Sequence, residues 1–380
     1  MIKTIKLSLV AAIAVAGFST TVSAKSFEDA IKNVDISGAI SVGYNHKDTT
    51  ETNVASTATN EVEYDIYIKT TSKINDIVSF TASIENDYAT ADTNATNDNE
   101  KNLYVKEIFF TYAKDGITAK TGKQGVSTPW TSSVRGDGIL ATYGIGSVTL
   151  AGGHFANTTL LNDHDINTIA ALGKAGSINY EAWMLSSTAA DGFSVAGTVE
   201  VGTTNINARH TTSKLESTTA QDEFTLTKVV ADVKVGDITV TAGYGMTNDA
   251  NNGVLRGEDA NNDGSADTNT GVALNKDNGE SSDLYMDQAS LDNLNDATAI
   301  LIGASTKINA YTVGAKYFIA DANMRDSGNY TLDVTELNID VAYTMSKNFS
   351  VSGLYSSYEE STTGSTMTDD RMEISLNYTF

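Results

Sequence analysis

The chain has 380 residues, with 48 acidic against 25 basic side chains and a formal charge of −23. An acidic balance of this size excludes nucleic acid as a partner, since binding phosphate needs the opposite sign. The absence of cysteine excludes disulfide staples, thiol nucleophiles and thiolate metal sites together.

The first 24 residues, MIKTIKLSLVAAIAVAGFSTTVSA, carry Lys3 and Lys6, an apolar run over 7–18 and Val22-Ser23-Ala24. This is the pattern of a cleaved secretory signal, and the apolar run is shorter than the roughly 20 residues a membrane-spanning helix needs. Losing Lys3 and Lys6 with the leader takes the charge from −23 to −25, because residues 1–24 hold no acid. Residues 25–33 form a short N-terminal periplasmic segment in this reading. Within SFEDAIKNV the apolar residues Phe27, Ala30, Ile31 and Val34 have helical spacing, which predicts a short helix at that mouth.

From residue 34 onward the pattern changes to strict alternation. Val62, Tyr64, Ile66 and Ile68 alternate with polar residues in one stretch, and Ile238, Val240, Ala242, Tyr244 and Met246 in another. Leu337, Ile339, Val341, Tyr343 and Met345 repeat it, and the chain ends on RMEISLNYTF, with Met372, Ile374, Leu376, Tyr378 and Phe380 on one face. These are strands with one apolar and one wet face. The single proline against 30 glycines suits strands that donate every backbone N–H to a neighbour.

Short and long connections take turns between these strands. Short turns are expected near 74–76, 114–116, 144–146, 173–177, 202–203, 236–237, 308–309 and 346–348. Longer stretches are expected at 47–60, 89–100, 125–139, 158–165, 189–192, 215–222, 247–297, 321–330 and 360–369. Together they predict that 34–380 is an all-β, transmembrane, antiparallel up-and-down barrel of about 18 strands, with 16 as the alternative. Both ends of the chain then lie on the short-turn side, and bilayer lipid takes the place of a second sheet.

A barrel of this size leaves an aqueous lumen, so something must narrow it. The candidate is the third long connection in GKQGVSTPWTSSVRGDGILATYG, folded into the pore. Lys120, Lys123, Arg135 and Asp137 are the expected constriction residues, because opposite charges across a narrow passage orient and select small polar solutes. The alternative is an ordinary surface loop with these side chains solvated.

In the seventh long connection, Asp259, Asn261, Asp263, Gly264, Ser265 and Asp267 follow the first nine positions of an EF-hand-type calcium loop. Asp259, Asn261, Asp263 and Asp267 are therefore candidate calcium ligands, although Thr270 stands where the pattern has glutamate. Stretch 247–297 holds 11 acids against Arg256 and Lys276, a charge that draws cations to one mouth or binds divalent ions bridging lipopolysaccharide. Its SLDNLNDATAIL portion is expected to make a helical turn or two. The histidines His46, His154, His164 and His210 show no metal or triad spacing, and no residue pattern supports an enzyme.

SFEDAIKNVDISG, GKQGVSTPWT and the terminal LNYTF together resemble the Campylobacter-type major outer membrane porins. The similarity in length and organisation covers the mature chain, while the long loops match no pattern. The resemblance implies a homotrimeric general-diffusion channel of the bacterial outer membrane, with an inward third loop and a divalent cation near the pore. It also implies that Phe380 is the signal read by the barrel-assembly machinery. The expected function is passive diffusion of ions and small hydrophilic solutes with a preference for cations; the alternative is a surface barrel serving as an adhesin or structural protein.

Overall fold

A computed structural model describes residues 34–86, 103–131, 134–158, 165–187, 190–215, 223–249, 284, 286–291, 294–324 and 330–380. The signal, the segment 25–33, His164 and the calcium-loop residues Asp259, Asn261, Asp263 and Asp267 lie outside them.

Eighteen strands follow one another along the chain. They are β1 (Val34–Glu51), β2 (Thr57–Lys73), β3 (Val78–Asn86), β4 (Leu103–Lys114), β5 (Ile117–Gly125), β6 (Arg135–Ile145), β7 (Val148–Ala156), β8 (Ile166–Ala175) and β9 (Ile178–Ser187). The second half comprises β10 (Ala190–Val201), β11 (Thr204–Leu215), β12 (Phe224–Val235), β13 (Ile238–Thr247), β14 (Thr298–Ile308), β15 (Tyr311–Met324), β16 (Tyr330–Thr344), β17 (Phe349–Thr362) and β18 (Ser365–Thr379). Each pairs antiparallel with the next, and β18 pairs with β1 from Ala39↔Thr379 to Glu51↔Met367. The sheet is a closed barrel with no free edge, the form in which strands satisfy their backbone groups inside a bilayer.

Alternation sets the two faces. On β14, Ile300 and Ile302 are exposed on the outer, lipid-facing surface, whereas Ala299 and Leu301, which alternate with them, are buried inside. The short-turn end is built from residues that accept a positive φ, such as Asp115 and Gly116 at 52° and 78°. Two successive positive values match the hairpin turn whose twist suits the flanking strands.

Several expected connections are shorter in the structure, among them 189–192, reduced to 188–189, and 321–330, reduced to 325–329. Stretches 47–60 and 360–369 are largely strand, since β1 runs to Glu51, β2 starts at Thr57, and β17 and β18 are joined only by Thr363 and Gly364. At 14 to 18 residues, β1, β2, β17 and β18 exceed the roughly 9 to 11 that cross a bilayer. Their polar outer ends therefore carry pairing beyond the membrane. The third connection shrinks to 126–134, so Arg135 and Asp137 belong to β6 instead of a loop. In SLDNLNDATAIL, Leu294 N–H donates to the Leu291 carbonyl at 3.1 Å, and Thr298 already starts β14.

Candidate functional site

The third connection folds into the barrel. Thr128-Pro129-Trp130-Thr131 is a β-turn closed by the Thr131 N–H on the Thr128 carbonyl at 3.1 Å, with proline at the position whose φ it pre-sets. Val126 and Trp130 are buried in one cluster with Phe155, Ile166, Leu185 and Ala190, inward-facing residues of β7 to β10. The Trp130 ring occupies the space a side chain at Gly192 would need, 2.9 Å from the position of a Cβ there. This segment lies flat on one arc of the inner wall.

A second inward segment, absent from the sequence-based expectations, covers the neighbouring arc beyond β11. Leu284, Met286, Ala289, Leu291, Leu294 and Ala297 are buried against inward residues of β12 to β16, among them Val230, Leu301, Phe318 and Val334. A Cβ at Gly245 would overlap Leu284 and Leu291, so the glycine leaves room for the segment to approach β13. The carboxylate of Glu336, on β16 and fully buried, accepts the backbone N–H groups of Asp287, Gln288 and Ala289 at 2.5 to 3.2 Å. Ser356 of β17 donates to the same carboxylate at 2.8 Å. Gln288 then donates to Ser356 and to the Asp369 carbonyl, and Asp287 pairs with Arg371 of β18 at 3.0 Å. Burial raises the Asp287 carboxyl above its ordinary range, against the pull of Arg371.

The inner wall that these two clusters leave uncovered includes the arc of β1 to β5. Its inner face carries Glu61, Glu63 and Asp65 on β2, which share the face of Tyr67. Glu85 pairs with Lys106 at 2.5 Å and Glu107 with Arg135 at 3.5 Å. Glu181 pairs with Arg209 on the far wall. Each of the three described arginines is therefore matched to a carboxylate, whereas Glu61, Glu63 and Asp65 have no cationic partner among the described residues.

Of the expected constriction residues, Lys123 and Asp137 are direct cross-strand neighbours on β5 and β6, while Lys120 and Arg135 make separate contacts. Lys120 lies over the Phe109 ring at 5.4 Å, and Lys123 donates to the Val105 carbonyl at 3.2 Å. Arg135 reaches Glu107, while Asp137 is exposed, opposite Lys123 in the β5–β6 register. Among the described residues no group of three or more His, Asp or Glu is placed to hold a metal ion.

A closed barrel with apolar outside, charged inside and two inward segments has the organisation of a membrane channel. The family model for the Campylobacter major outer membrane protein matches residues 2–380. The chain belongs to that family. No curated relative matches it by sequence. Among solved structures, Acinetobacter baumannii OccAB4 superimposes with a TM-score of 0.65 at 13% identity, covering 91% of this chain and 98% of that one. Pseudomonas aeruginosa OpdK with vanillate gives 0.65 at 10% identity, over 91% and 99%, and Pseudomonas aeruginosa OpdQ gives 0.66 at 10%, over 92% and 99%. At such identities the likeness is one of fold. The protein is a multi-pass β-barrel of the outer membrane.

Proposed function

We propose that this porin conducts ions and small hydrophilic solutes passively and prefers cations. The observation that carries the preference is the unmatched row Glu61, Glu63 and Asp65 beside a passage in which every described arginine is paired with a carboxylate. Fixed charge in a narrow, partly protein-walled passage acts on ions more strongly than it would in bulk water. The vanillate in the OpdK structure is an anion; the row on β2 favours solutes of the opposite sign. A homotrimer, delivery of Phe380 to the barrel-assembly machinery and lipopolysaccharide contacts at the outer rim belong to the same proposal, on the strength of the family.

The test is a reversal-potential measurement on the purified protein in planar bilayers under a salt gradient. Cation preference that falls in a Glu61→Gln, Glu63→Gln double variant is the expected result. Anion preference in the wild type overturns the selectivity, and absence of any steady conductance favours the adhesin or structural role.

A further inference from the structure

We propose that Glu336 is the latch that holds the segment of residues 286–291 against the inner wall, and that the latched segment sets both the width and the charge of the pore. This inference rests on the channel reading given above.

Glu336 stands on the lumen side of β16, between Leu337 and the other exposed residues of the lipid face on one hand and the buried Val334 on the other. A carboxylate buried without compensation is costly, and here compensation comes almost wholly from the segment. Three successive backbone N–H groups of residues 287–289 converge on its two oxygens, with the Ser356 hydroxyl as a further donor. Neither partner is satisfied without the other: removing the segment strands a charge, and removing the charge strands three donors. The contact spans 47 to 49 residues of sequence, so it fixes where the far end of a long connection lies.

The same docking brings Asp287 to Arg371 and Gln288 to the Asp369 carbonyl. Arg371 is thereby neutralised inside the lumen. Release of the segment would do two things at once: clear apolar bulk from the arc of β12 to β16, and leave Arg371 facing the water-filled passage without its carboxylate. Width and selectivity are thus tied to one side chain.

Three variants separate these effects in single-channel recordings. Glu336→Gln keeps the shape but loses the charge and presents a donor to donors; conductance is expected to rise and the reversal potential to shift toward lower cation preference. Asp287→Asn keeps the latch and removes only the partner of Arg371, so the reversal potential is expected to shift with conductance nearly unchanged. Deleting 286–291 is expected to reproduce the Glu336→Gln conductance, with no further rise when the two changes are combined. Wild-type conductance and selectivity in Glu336→Gln overturn the latch, as does a full additional rise from Glu336→Gln in the deletion background. Should Glu336→Gln not assemble, Ser356→Ala serves in its place, with a smaller rise in conductance expected and an unchanged channel counting against the proposal. Failure of the channel reading is distinct: it appears as no conductance in the wild-type protein.

Discussion

Lys47 of β1 and Asp369 of β18 meet across the seam that closes the barrel, Nζ to Oδ2 at 2.5 Å. The carboxylate is nearly buried, at 6% exposure, while the ammonium is 38% exposed. The pair therefore joins first strand to last, and the Asp369 backbone carbonyl also receives Gln288 from the inward segment. Closure and constriction share one residue.

Lys47→Ala should lower the temperature at which the folded barrel opens on a gel, because it strands the Asp369 charge inside the wall. The cost is on the order of 1 to 3 kcal/mol for a buried group left without its partner, reduced by the water that already reaches Lys47. Lys47→Ala with Asp369→Ala should recover most of the loss, since no orphaned charge remains. Equal loss in both variants would mean that the pair contributes nothing beyond packing.

Removing Phe380 should reduce the yield of folded, heat-modifiable protein. Gly38 and Phe380 exchange two backbone hydrogen bonds, at 3.0 and 3.1 Å, and the Phe380 ring stacks on Tyr378 at 5.9 Å between centroids. A side chain at Gly38 would fall 2.6 Å from that ring and 2.5 Å from the Tyr67 carbonyl. Gly38→Val should therefore give the same defect from the other side of the seam, whereas Phe380→Tyr should assemble normally. Unchanged yield in the deletion would refute the closing role.

The strand count and the sidedness of the turns were legible in the sequence because a lipid-facing strand writes its environment at every second residue. What blurred the outer ends was that rule's own domain. Beyond the membrane both faces of a strand are wet, so Asp48-Thr49 and Glu360-Ser361 read as loop although they pair in register with β18 and β2 or with β16 and β18. Gly136 and Gly138, within the stretch expected as the third connection, lie on β6. They suggest a flexible connection, but at Gly138 a Cβ would collide with the backbone of His154 and Phe155, and glycine there is what lets β6 lie close to β7. Glu336 gave no signal at all. Period-two spacing puts it inside, but it cannot tell which distant backbone reaches it.

Arg135→Ala should increase cation preference, since Glu107 then faces the passage with no guanidinium at 3.5 Å. Asp137→Ala should move the reversal potential less, because Asp137 is exposed at the rim opposite Lys123 and is screened by salt there. A larger effect from Asp137 than from Arg135 would move the constriction toward the rim.

Calcium binding by Asp259, Asn261, Asp263 and Asp267 is tested by melting. If these side chains form the expected loop, added calcium should raise the unfolding temperature of the wild-type protein, chelator should lower it, and Asp263→Asn should abolish the difference. Identical melting with calcium and with chelator removes the site.

Acid should weaken cation preference through Asp287 before it titrates ordinary carboxylates. Burial is the largest influence on this group and raises its pKa above the usual 3.8, helped by Glu373 and Asp369 and opposed by Arg371 and Lys47. As pH falls toward that raised value, Asp287 takes up a proton while carboxylates at ordinary values are still charged. Arg371 then loses its partner and repels cations. The sign for docking runs the other way: a carboxyl with a raised pKa in the docked state binds its proton more readily there, so docking is favoured as pH falls and weakened as pH rises between the undocked and docked values. Selectivity should therefore change in mild acid. Asp287→Asn should remove this component of the pH profile. A wild-type profile identical to that of Asp287→Asn would show that the Asp287–Arg371 pair does not face the permeating ion.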